Sequence, residues 1–382
     1  MRLSILLVVL MIAQQACAQR VFTLNKTALH ENKRKIERNN PDKLPAYTQL
    51  IKDAKKSLQF GPVSVMEKKH LPPSGDRHDY MSLAPYHWPD PSKPDGLPYI
   101  RKDGQTNPEV REYKDKEYQP ALCEHVYTLA LAYYFTEDNV YAEHATRLLK
   151  VWFLDTATRM NPNLNFAQAI KGVNTGRGAG LIDSRHYIKL IEAIGLIQSS
   201  KHWKPQYQEG MKQWFSQFLH WMQTSPIGKD EMDAPNNHGA WYDAQRLALA
   251  LFIDSTRLAK EIAGNALQRL DRQMDSTGRF PMEMQRTISL HYSVFVLDAF
   301  VLIDKMAGWN GNPKLKKGVD ALLPYLRQEK QWDGQQIKEY NFEEGIPLMM
   351  EASKRFGCQN CDAAIKKIAG EKYPRLRLHL LY

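Results

Sequence analysis

Ile288-Ser289-Leu290-His291-Tyr292-Ser293-Val294-Phe295-Val296-Leu297-Asp298-Ala299-Phe300-Val301-Leu302 places Ile288, Tyr292, Phe295, Ala299 and Leu302 at alternating steps of four and three. Those steps return to one side of an α-helix, and the other sides are apolar too, so residues 286–306 are expected to form a helix buried nearly all round. Residues 257–274, in contrast, are strongly polar on one face, as suits a helix that covers a core. Inner and outer helices are therefore both present. Similar stripes recur at Leu122, Val126, Leu129, Ala130 and Tyr133, and at Tyr207, Met211, Phe215, Phe218 and Met222, while strand-like alternation is scarce. The helical pattern dominates after about residue 115. It is interrupted by short turn-rich breaks at Asn161-Pro162-Asn163, Thr175-Gly176-Arg177-Gly178, Ser225-Pro226-Ile227-Gly228 and Gly308-Trp309-Asn310-Gly311. Breaks of this length join antiparallel helices. The expected fold is all-α: an α/α toroid, an incomplete barrel of helical hairpins, without the fixed-period repeat of a regular solenoid.

Outside the helices, Leu71 to Pro108 is rich in Pro, Gly, Asp and aromatic residues and has little periodicity. A long ordered loop of this kind is uncommon without a function. Its aromatics either stack on sugar faces or form a strap in which Tyr86, Trp88 and Tyr99 pack on the helices. At the N-terminus, Arg2, an apolar run from Leu3 to Ala13, and Ala16-Cys17-Ala18 read as a secretory signal cleaved after residue 18. Lipidation at Cys17 is the competing reading. The run is too short for a stable membrane anchor. The remaining 19–382 are expected to form a single toroid domain in the periplasm or outside the cell.

A composition of 43% hydrophobic and 25% charged residues is that of a globular protein, and the net charge of +10 favours a polyanionic partner. Export and the absence of a dense basic run argue for an acidic polysaccharide and against nucleic acid. Without the leader, three cysteines remain. Cys358 and Cys361 could close a small disulfide, and Cys123, in an apolar helical run, reads as a buried hydrophobe.

Two segments carry candidate chemistry. Asp233-Ala234-Pro235-Asn236-Asn237-His238-Gly239-Ala240-Trp241-Tyr242 puts a polar cluster at the start of a helical run, where Asn236 or Asn237 can cap the helix. A helix N-terminus favours anions, which places Asn237 and His238 well to meet a carboxylate. Glu283-Met284-Gln285-Arg286-Thr287-Ile288-Ser289-Leu290-His291-Tyr292-Ser293 opens the apolar helix. Arg286 and Tyr292 are six residues apart, nearly two turns but not aligned, so they share a site only if Arg286 reaches inward from the helix start. Arg185 and His186, at the start of another helical run, either join the site or pack beneath it.

Taken together, Asn-Asn-His-Gly at 236–239, Arg286, Leu-His-Tyr at 290–292, and the loop Tyr80-Met81-Ser82-Leu83-Ala84-Pro85-Tyr86-His87-Trp88-Pro89-Asp90-Pro91 resemble the alginate-lyase superfamily of α/α-toroid polysaccharide lyases. The resemblance is strongest from about 75 to 300 and nearest to polysaccharide lyase family 38. It implies that Asn237 and Arg286 neutralise a uronate carboxylate, that Tyr292 transfers protons and that His238 assists. Some alginate lyases have a slightly longer Arg-to-Tyr spacing. Asn236, Arg185, His186, Tyr86, His87, Trp88, Trp241 and Tyr242 are the accompanying candidates for substrate contact.

The chemistry explains the residue types. The C5 proton of a uronate becomes acidic once the adjacent carboxylate is screened, because screening stabilises the enolate-like anion formed on abstraction. A base then takes that proton, and an acid protonates the oxygen leaving C4. The scheme calls for no cofactor and no metal, and mannuronate, guluronate and glucuronate linkages are all admitted. A hydrolase would instead pair two of Asp183, Asp243 and Glu283. A glycan-binding protein would use only the aromatic loop and the charge.

Overall fold

Helices begin earlier than the periodicity announces. The computed structural model describes residues 20–382, so the leader read at 1–18, with Cys17, lies outside the described residues. α1 (Lys26–Glu37) and α2 (Leu44–Ser57) open the fold. α1 is capped by the Asn25 side chain and buries only Leu29, Asn32 and Ile36, a stripe narrow enough to be lost among its charges.

The proline-rich stretch is ordered, as expected, but it is built from short strands: β1 (Met81–Leu83), β2 (His87–Trp88) and β3 (Ile100–Arg101). β2 and β3 form an antiparallel hairpin that pairs His87 with Arg101. After α3 (Lys114–Thr136) and α4 (Asn139–Leu149), β4 (Phe166–Ala169) pairs parallel to β1.

The helical body continues with α5 (Tyr187–Ile197), α6 (Pro205–Thr224), α7 (Pro226–Met232), α8 (Asn237–Phe252), α9 (Thr256–Gln273), α10 (Pro281–Met284), α11 (Ser289–Ala307) and α12 (Pro313–Leu326), and closes with α13 (Ile346–Arg355), α14 (Cys361–Ala369) and α15 (Leu378–Leu381). α5 and α8 are buried at nearly every position, and α11 over most of its surface. α9 buries one stripe, Ala259, Ile262, Ala266, Arg269, Leu270 and Gln273. α8 packs on α9 and α11, α3 on α4 and α5, and α11 on α12, so inner helices have outer partners. This is the α/α toroid expected from the alternation of fully and partly apolar helices. The main apolar cluster joins Val21 to Leu380, and a small second one gathers Leu83, Tyr113 and Ala169. No helix among the described residues is long and apolar enough to cross a membrane.

Three local expectations are refined. The break at 225–228 is the start of a helix, because Ser225 ends α6 through its backbone N–H to the Trp221 carbonyl and its side chain caps α7 by accepting the Gly228 N–H at 2.9 Å. α11 starts at Ser289 and not near 286, because the backbone N–H of Thr287 is taken by Asp103 and Ile288 bridges to Gln336. Cys358 and Cys361 are bonded to each other. Cys123 is buried, and burial pushes its thiol well above the ordinary value, so it is no nucleophile.

One residue fastens the β2–β3 hairpin over the toroid. Asp103 accepts hydrogen bonds from Arg286 Nε (3.1 Å) and Nη2 (2.7 Å), and from the Thr287 backbone N–H (3.1 Å) and Oγ1 (3.0 Å). Burial alone would raise its carboxyl pKa, but these bonds and the Arg286 charge outweigh burial and hold it well below the usual range. The stabilisation is therefore fully present above the unfolded value, about 3.9, and is lost only as pH falls through the depressed native value. Asp103→Ala is expected to lower kcat/KM roughly tenfold or more and Tm by a few degrees, since a bond to a charged group contributes about 1.5–3 kcal/mol. Parallel melting and rate measurements check this; wild-type values for both would show that the hairpin is held by other contacts.

Candidate active site

The start of α8 forms one wall of a cleft of about 630 Å³. Asn236, in extended conformation, caps the helix, its side chain accepting the His238 N–H at 3.1 Å. Asn237 is gripped from beneath by Glu283, which accepts the backbone N–H at 2.6 Å and the side-chain Nδ2–H at 2.9 Å. His238 places Nδ1 2.7 Å from Glu231 Oε1. A carboxylate there accepts a hydrogen bond from Nδ1–H, which in the neutral ring leaves Nε2 as the lone-pair nitrogen. The helix can start this tightly because residue 239 is glycine: a Cβ there would lie 2.3 Å from the Ala234 carbonyl oxygen and 2.2 Å from Arg269 Nη1.

Across the cleft, Arg286 does reach inward from the helix start. Its guanidinium carbon lies 3.6 Å from the centroid of the Tyr292 ring. The Tyr292 hydroxyl donates to Tyr86 Oη at 2.8 Å. Burial pushes the Tyr292 phenol above its ordinary value while the Arg286 charge pulls the other way, so the group is protonated near neutral pH.

The floor and rim are basic. Arg101, Lys116, Arg177, Arg185 and His87 line the cleft, with Asp230, Glu231 and Asp233 near the α8 side. Arg177 bonds Gln168 at 2.9 Å, and its buried Nε has no partner among the described residues. Arg185 bonds the Ile182 carbonyl at 3.0 Å and lies over the Phe295 ring. The ion pairs found among the described residues leave both guanidinium groups without a carboxylate partner, as a polyanion site needs. Burial, then Arg177 and Arg101, lower His87 to about 4, so it stays neutral near pH 7.

Asn236, Asn237, His238, Arg286, Tyr292, Tyr86, His87 and Arg185 thus meet in one cleft. Four other candidates do not line it. Trp88 follows His87 on a strand, where side chains alternate, and its Nε1–H turns away to the Gln105 carbonyl at 2.9 Å. Trp241 is buried and donates to the Phe295 carbonyl at 3.1 Å, and Tyr242, fully buried, donates to the Met222 carbonyl at 2.8 Å. His186 sits behind Arg185 at the start of α5, lowered to about 3 by burial and then by Arg185 and other nearby cations.

The carboxylates proposed for a hydrolase are engaged elsewhere. Asp183 is buried and accepts from Tyr80, Ser82, Gln168 and Lys116; Asp243 pairs with Arg269; Glu283 holds Asn237. They form no pair across the cleft.

Sequence reasoning passed over Arg177, Glu231, Lys116 and Asp103. Arg177 had a signal, since it stands between Gly176 and Gly178. The second glycine is there for close approach, because a Cβ at 178 would lie 2.8 Å from the Glu231 backbone nitrogen. Among the described residues no group of three or more His, Cys, Asp or Glu side chains is gathered as a metal site would require.

The sequence profile of the alginate lyase family matches residues 64–332. No functionally curated protein matches the chain significantly. Among solved structures, an alginate lyase from Bacteroides ovatus is 38% identical, with a TM-score of 0.89 over 95% of this chain and 99% of its own. Alginate lyase A1-III from Sphingomonas species A1 is 16% identical, with a TM-score of 0.50 over 88% of this chain and 96% of its own, a likeness of fold. A variant of alginate lyase A1-III complexed with a tetrasaccharide aligns with a TM-score of 0.52 at 16% identity, over 87% of this chain and 94% of its own.

Proposed function

The chain belongs to the alginate lyase family and is a polysaccharide lyase, and from that premise we propose that the cleft cleaves alginate by β-elimination with Asn237, His238, Arg286 and Tyr292 as its working residues. The observation that carries this reading is the meeting of all four, from segments some fifty residues apart, in one basic cleft.

Each partner limits what a residue can do. Asn237 has one Nδ2–H committed to Glu283, and the second is the donor that screens the uronate carboxylate. Arg286 spends its Nε and Nη2 on Asp103 and lays its face on Tyr292. Its main work is therefore to stabilise negative charge on the phenol oxygen, and only its Nη1 side remains for substrate. This shifts the role expected from the sequence, where Arg286 served chiefly as a carboxylate clamp. Arg177 and Arg185 take carboxylates of neighbouring sugars.

The proton steps follow from how the two side chains are held. His238 Nε2, with its lone pair free, takes the C5 proton. The C–H electron pair becomes the double bond between C4 and C5, and the C4–O bond breaks. Tyr292, protonated at rest, gives its proton to the departing oxygen. No water enters the products. The reading includes export of the chain, a single domain over 19–382, and a place near polysaccharide lyase family 38, supported by the motifs at 236–239 and 290–292.

The test is ultraviolet absorbance of unsaturated product across mannuronate and guluronate blocks of alginate, glucuronan and a neutral glucan. Alginate blocks are expected to give the fastest rise and the neutral polymer none, since it has no carboxylate to screen. A flat trace on every uronan would overturn the reading.

A further inference from the structure

Glu283 has no place in the proton steps, yet it is only 1% exposed and turns both carboxylate oxygens on a single residue. It lies on α10, three residues before Arg286, and reaches under the N-terminus of α8. Oε1 accepts the first backbone N–H of the helix, and Oε2 accepts from the Asn237 side chain. Burial raises the carboxyl pKa, against which the two Asn237 bonds act.

Building on the elimination reading, we propose that Glu283 is a positioning residue that fixes which end of the Asn237 amide meets the substrate. An asparagine amide has two faces of nearly equal shape and opposite polarity. With Nδ2 outward, an N–H can screen the uronate carboxylate; with Oδ1 outward, two negative oxygens would meet. Asn237 is fully buried, and among the described residues its Oδ1 has no hydrogen-bond partner, so none of them holds the amide on the oxygen side. Glu283 supplies the whole preference. The flipped amide would press Oδ1 against Glu283 Oε2, acceptor against acceptor, and would lose the 2.9 Å bond. The backbone bond to Oε1 keeps the carboxylate from swinging away. A helix cap alone would account for Oε1 but not for Oε2.

Glu283→Gln tests the idea, because glutamine keeps the shape and one acceptor but offers an NH2 group where Oε2 stood, which favours the flipped amide. Turnover is expected to fall about a hundredfold, the scale of removing one charge-screening donor, with KM changed less than about threefold and Tm near wild type. The deciding measurement is a double-mutant cycle: in an Asn237→Ala background the Glu283→Gln change is expected to cost less than about twofold. A full, additive loss in that background would overturn the proposal and leave Glu283 a structural cap. If Asn237→Ala itself turned over at the wild-type rate, the elimination reading of this site would fall with it, a different and recognisable result. Should Glu283→Gln fail to fold, Glu283→Asp, shorter by one methylene, is run through the same cycle; coupling to Asn237 supports the role and additivity overturns it.

Discussion

Tyr292→Phe is expected to reduce kcat at least about a hundredfold while substrate binding and Tm stay near wild type, the scale of losing a general acid or base. The substitution keeps the ring, and with it the Arg286 guanidinium stacked 3.6 Å away and the packing against Phe295. What it removes is one hydroxyl and its 2.8 Å bond to Tyr86. If that bond were only structural, its loss would cost about 0.5–1.5 kcal/mol of stability and leave turnover near normal. Kinetics, binding and melting on one preparation therefore separate the roles. Near-wild-type release of unsaturated product would show that Tyr292 is not the proton donor.

His238→Gln should be comparably damaging, with kcat down by about a hundredfold to ten-thousandfold. Glutamine can still reach Glu231 and keeps the polar contact that ties α8 to α7, so the fold is expected to survive. It has no basic lone pair to take the C5 proton. The expected signature is a loss confined to kcat, with the polymer still retained by Arg177, Arg185 and Lys116 around the cleft. Retained turnover in His238→Gln, with Tyr292→Phe inactive, would move the base to Tyr292 and leave His238 as a contact.

How much of this could be read from the chain depends on distance along it. The inner helices were legible because residues such as Leu297, Ala299 and Phe300 are apolar on sides that an outer helix would leave polar. The start of α8 was legible because Asn236 is a capping residue ahead of a helical run. Trp241 and Tyr242 were drawn into the site by adjacency to His238, yet a helix turns about 100° per residue, and they point to the core and to α6. Asp103 was invisible for the opposite reason: it lies 183 residues from the arginine it binds, in a stretch with no period to place it. The parallel pair of β1 and β4 escaped notice because strands of three and four residues show no alternation.

The central claim is that this cleft breaks its polymer by elimination, and the mass balance of a single cut tests it most directly. A defined alginate oligosaccharide is digested to two fragments, and both are weighed by mass spectrometry. Elimination moves a proton from C5 to the leaving oxygen and adds nothing, so the account predicts fragment masses that sum to the intact substrate, one fragment carrying the ultraviolet-absorbing double bond. Fragments that together exceed the substrate by one water, with no such absorbance, would mean hydrolysis and would contradict it.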